Sequence, residues 1–194
     1  MARLSALILA LIMLAGCSMH TRYTIELDVA SFINPPARGQ LALPFKASFT
    51  LFLPDEDGNP LTPDSDGIVI HNVLPSDRYL TRASLDLAIA VKEIGGAPLE
   101  FTVEVYVAPP DANDLYHGEG TRIGKGELRL EPSAQGTFFL ALELVSGNPG
   151  FDLISDESFR LGIKLAGSTK GFKYELTTLN LALTTRPVGE ILNP

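Results

Sequence analysis

Apolar and polar residues alternate with period two along most of the chain. Tyr23, Ile25, Leu27 and Val29 are interleaved with Thr24, Glu26 and Asp28. Phe45, Ala47, Phe49, Leu51 and Leu53 are interleaved with Lys46, Ser48 and Thr50, and Phe101, Val103, Val105 and Val107 with Thr102 and Glu104. Phe138, Leu140, Leu142 and Leu144 form another row, as do Phe159, Leu161, Ile163 and Leu165. This spacing turns one apolar face inward and one polar face outward, the pattern of antiparallel sheets packed face to face. Between the rows lie "NPPARG", "PDEDGNP", "EIGGAP", "PSAQG", "SGNPG" and "AGSTKG", which carry turn chemistry.

Two stretches are less plain. "ASLDLAIAVKEIGG" (83–96) alternates but is rich in helix formers and ends on glycines that suit a helix cap. Its period and its neighbours favour a strand, with Gly95-Gly96 turning a hairpin into 99–107. In "FKYELTTLNLALTT" (172–185) the phase slips: Phe172, Tyr174 and Leu176 share one parity, Leu179, Leu181 and Leu183 the other. A bulge near Thr177-Thr178, or burial on both faces, accounts for the slip. The expectation is an all-β antiparallel sandwich of about eight or nine strands. A jelly-roll is one topology that fits, and a barrel closed around a lipid is the alternative.

The first residues break the pattern. Arg3 is followed by the apolar run "LSALILALIMLAG", too short for a bilayer span of about 20 residues and matched to a secretory signal. It ends on Leu14-Ala15-Gly16-Cys17, and Cys17 is the only cysteine. This order resembles the lipobox of bacterial lipoproteins. The resemblance implies cleavage before Cys17, diacylglycerol on its thiol and an acylated new amino terminus. Two or more acyl chains anchor a protein stably where one does not. Ser18 after the cysteine implies the outer membrane rather than the inner one. The organisation expected is a signal peptide at 1–16, a lipidated tether at 17–22 and one β-sandwich domain at 23–194.

Charge narrows the partners. The chain carries 15 Lys+Arg against 23 Asp+Glu, a formal net charge of −8, and the mature chain, lacking Arg3, is more acidic still. Such a balance gives no reason to bind nucleic acid or to lie flat on anionic lipid.

The densest constellation is "PDEDGNPLTPDSDG" (54–67), with Asp55, Asp57, Asn59, Asp64 and Asp66. Closely spaced carboxylates on a loop suit calcium, which takes six to eight oxygen ligands. The run departs from an EF-hand at Pro60 and lacks its bidentate glutamate, and a solvated turn is the competing reading. The connection at about 108–125 places Tyr116, His117 and Arg122 as candidate ligand or partner contacts. Its glycines fit neither a P-loop nor a dinucleotide fingerprint, and the connection reads equally as a plain surface loop.

Hydrolytic chemistry finds no motif: His20, His71 and His117 are isolated, and no His-Glu-x-x-His or Gly-x-Ser-x-Gly is present. The expectation is therefore not an enzyme but a lipid-anchored envelope protein, structural or adaptor in role, that holds another envelope protein. A calcium-dependent ligand- or glycan-binding sandwich is the second expectation, and Tyr79, Tyr106 and Tyr116 are the rings that a glycan could stack on. An anchored hydrolase is the weakest.

Overall fold

Each row of alternating residues becomes an antiparallel strand in the computed structural model, which describes residues 22–33, 37–54, 61, 67–71 and 80–186. The strands are β1 (Thr24–Asp28), β2 (Arg38–Leu53), β3 (Ile68–His71), β4 (Leu80–Glu93), β5 (Leu99–Ala108), β6 (Thr121–Leu130), β7 (Gln135–Val145) and β8 (Ser158–Thr185). A 3-10 turn, Val29–Phe32, follows β1, and a short helix α1, Phe151–Ser155, joins β7 to β8. The expected antiparallel β-sandwich is what forms.

β8 organises the molecule. Its first half pairs with β5 on one side and with β2 (47–53) and β3 on the other. Its second half pairs with β4 on one side and with β1 and β2 (38–42) on the other. β6 extends the first layer beyond β5, and β7 extends the second beyond β4. β8 and β2 thus run through both layers and fold one hydrogen-bonded sheet over on itself. Strands that switch layers do so at bends or bulges. Here the bend falls where β2 loses register between Ala42 and Ala47, opposite Thr169–Gly171 of β8. The fully buried Thr169 hydroxyl accepts the Gly171 N–H at 3.1 Å and holds the corner.

The inner faces meet in one apolar core. The Phe172 ring lies 4.9 Å from Phe49 and 6.2 Å from Phe101, and Phe101 reaches Phe138 across the layers at 6.4 Å. At the open side β6 packs on β7 without backbone pairing. A Cβ on Gly126 would come within 2.7 Å of the Phe138 ring, and one on Gly124 within 2.5 Å of Leu142. These glycines are the space into which β7 side chains fit. β6 starts at Thr121, so a stretch that reads as loop from its glycines is strand.

Three other expectations are corrected. "AGSTKG" is the corner of a continuous strand of 28 residues and not a turn between two strands. Phe45 is 68% exposed, because it lies in the unpaired part of β2 between Ala42 and Ala47. Gly95-Gly96 does not close a hairpin, since β4 is flanked by β7 and β8 and β5 by β6 and β8. The segment instead arches from the second layer to the first. The bulge expected near Thr177 is present: Ala88 pairs with Thr178 and Ile89 with Leu176. The extra residue returns Leu179, Leu181 and Leu183 to the same inner face as Phe172, Tyr174 and Leu176.

Glu93 ties this arch to the β6–β7 turn. Its side chain is 1% exposed. One carboxylate oxygen accepts the N–H of Gly95 at 2.5 Å and of Ala97 at 3.3 Å, and the other accepts that of Ser133 at 2.5 Å. Burial raises the carboxyl's pKa, but the backbone donors outweigh burial and hold it below the ordinary carboxylate range.

Candidate functional site

The acidic loop residues Asp55, Asp57, Asn59, Asp64 and Asp66, like Cys17 and Tyr79, lie outside the described residues. Among the described residues no group of three His, Cys, Asp or Glu side chains is placed to hold a metal.

Tyr116, His117 and Arg122 fall at three different levels of the outer face of the first layer. The segment 109–120 folds back over that face and forms a satellite core of Phe52, Tyr106, Ala108, Ala112, Leu115 and Tyr116. Asp114 shapes it by accepting the N–H of Tyr116 at 3.1 Å and of His117 at 2.8 Å, an Asx-type turn. The Tyr116 ring is 4% exposed, 4.7 Å from Phe52 and 5.5 Å edge-on from Tyr106. Its hydroxyl donates to the Leu53 carbonyl at 3.4 Å. Gly162 makes the seat, since a Cβ there would come within 2.4 Å of that hydroxyl oxygen. Tyr116 and Tyr106 are therefore packing residues, and neither ring is offered for stacking. His117 stands out with a side chain 55% exposed and Nδ1 3.5 Å from Asp114.

Arg122 belongs to β6, not to a loop, and its guanidinium donates to Glu104 at 2.7 Å. Glu104 also accepts the Tyr106 hydroxyl at 3.0 Å and has Lys164 Nζ at 4.0 Å. Burial works against its charge, but bonds from Arg122 and Tyr106 and the two cations hold its carboxyl below the usual range. Burial and the Glu104 carboxylate in turn raise the Tyr106 hydroxyl. The network is closed: each charge already faces an opposite one.

The outer face of the second layer is different. Its residues fall on cross-strand rungs. Gln40, Lys173, Lys92 and Gln135 form one rung, and Arg38, Glu175, Ala90 and Thr137 the next. Further along, Thr178, Ala88 and Phe139 share a rung, followed by one with Asn180, Asp86 and Ala141. The first two rungs line an open groove of ≈ 780 Å³. Beside it Phe139 is 74% exposed on a floor of small residues, with Ala88 opposite. Among the described residues no carboxylate lies within 4.0 Å of Arg38, Lys92 or Lys173.

The sequence discloses only part of this surface. Phe139 was legible, because Phe138 on the inward parity forces its neighbour outward. The Lys92–Lys173 rung was not, because it depends on the register of strands about 80 residues apart.

No family model and no curated protein sequence matches the chain. Among solved structures, the chain is similar to infectious bursal virus derived T=1 particles, with 11% identity, a TM-score of 0.38, 87% of this chain and 34% of that one covered. A CocE/NonD family hydrolase from Staphylococcus aureus gives 11% identity, a TM-score of 0.37 and coverage of 85% and 37%. A family 11 carbohydrate-binding module from Clostridium thermocellum, solved with a mixed-linked tetrasaccharide, gives 15% identity, a TM-score of 0.31 and coverage of 80% and 94%. The chain spans about a third of the viral protein and the hydrolase. At these scores no conclusion about this chain rests on the likeness.

Proposed function

We propose that this chain is a lipid-anchored protein of the bacterial envelope that works by binding another envelope component, and that the outer face of the second layer is its contact surface. The observation that supports this reading is Phe139, a large apolar ring left in solvent next to a groove whose three cations have no carboxylate within 4.0 Å among the described residues. On the first layer, by contrast, Glu104 engages Arg122 and Tyr106, and the 109–120 cover packs over Phe52 and Tyr106. A central aromatic anchor with a polar surround is the usual anatomy of a binding patch. The outer membrane is the favoured site of anchoring, through lipid on Cys17.

Two results test it. Cys17→Ser leaves the precursor uncut or releases the protein from membranes; a processed mutant that stays in the membrane contradicts the anchor. Phe139→Asp changes stability by no more than about 0.5 kcal/mol, as expected of an exposed position, yet removes the component that copurifies with the anchored protein. Copurification that survives Phe139→Asp contradicts the assigned surface.

A further inference from the structure

Lys92 on β4 and Lys173 on β8 are direct register partners on the outer face, and Gln40 and Gln135 flank them on the same rung. Arg38 and Glu175 form part of the adjacent rung, so the groove holds three cations and one carboxylate. Like charges placed directly opposite on a sheet destabilise it. The chain keeps this arrangement although its net charge is −8 and carboxylates outnumber cations. The Arg122–Glu104 and Arg82–Glu143 contacts, 2.7 and 3.2 Å, are two of the ion pairs that join its cations to acids elsewhere. Three cations gathered around one carboxylate, none of them within 4.0 Å of an acid among the described residues, mark where an anion is expected in a chain of net negative charge.

The other groups on the face narrow the anion. Two side-chain amides and the Thr137 hydroxyl supply donors and acceptors in a row. Phe139 follows Thr137 by two residues on the same face, about 7 Å further along β7. A shallow groove with a linear array of amides and cations and one exposed ring matches an extended, hydroxyl-rich chain bearing negative groups. Resting on the reading that this face is the contact surface, we propose that the groove binds an anionic polysaccharide strand. Its carboxylate, phosphate or sulfate groups sit between Arg38, Lys92 and Lys173, and one sugar ring lies on Phe139.

The test uses the chain from residue 18 to 194 on immobilised polygalacturonate, dextran sulfate and neutral dextran. Retention on at least one of the charged polymers, absent on neutral dextran and falling as salt rises, is the expected result. Lys92→Gln and Lys173→Gln each weaken it about tenfold, and Phe139→Ala weakens it as well. Neither lysine variant lowers the melting temperature, because each relieves a like-charge contact. Equal retention on all three polymers, no retention on either charged one, or retention indifferent to these variants overturns the proposal. Should Phe139→Asp remove a copurifying protein while the charged polymers bind nothing, the contact surface stands and the polysaccharide assignment falls.

Discussion

Tyr116→Ala destabilises the protein by about 3 to 5 kcal/mol, the cost of truncating a buried aromatic ring, and leaves binding at the second layer's outer face intact. The ring fills the space between Phe52, Tyr106 and the backbone at Gly162. Removing it opens a cavity at the centre of the satellite core and loosens the 109–120 cover. Tyr116→Phe keeps that packing and loses the long bond to Leu53, so its cost is about 1 kcal/mol. Urea unfolding of the three proteins separates the cases. A Tyr116→Ala variant of unchanged stability that no longer binds its partner would instead make Tyr116 a recognition residue.

Glu93→Gln lowers stability at neutral pH by roughly 1.5 to 3 kcal/mol, the range for hydrogen bonds to a charged group. The amide cannot accept the three backbone N–H groups of Gly95, Ala97 and Ser133 as a carboxylate does. The pH dependence has a definite sign. The folded carboxyl titrates below its ordinary value of 4.5, so the unfolded state binds the proton first as pH falls. The stabilisation is fully present above that value and is lost as pH drops through the folded pKa. The gap between wild type and Glu93→Gln is therefore constant from pH 6 to 8 and closes on acidification below about 4.5. A gap that stays open at acid pH would mean that the charge of Glu93 is not what joins the two turns.

These two residues show what the sequence could and could not disclose. Period two located β4, β5 and β7, and even the phase slip at Thr177 pointed to its bulge. Pairing partners were another matter. Gly95-Gly96 has hairpin composition, but β8 and β7 occupy both sides of β4, and only the whole sheet decides that. Gly124 and Gly126 read as loop because a missing side chain is silent about the Phe138 and Leu142 that fill the space. Tyr116 stands out as an aromatic on a long connection, and nothing local tells that Phe52, far earlier in the chain, lies beneath it. Arg122 and Glu104 likewise became partners only through the register of β5 with β6, where Tyr106 faces Arg122. The contact face was half legible: parity exposes Phe139, while the groove beside it is made by four strands drawn from distant parts of the chain.

The most direct measurement is site-specific photocrosslinking in intact cells, with the photoreactive residue at Phe139 and, as control, at Thr102 on the outer face of the first layer. A discrete adduct from position 139 and none from position 102, with the position-139 adduct lost when Lys92→Gln and Lys173→Gln are combined, is the predicted result. Crosslinking from position 102 with none from 139 would move the contact surface to the other layer and contradict the proposed function at its centre.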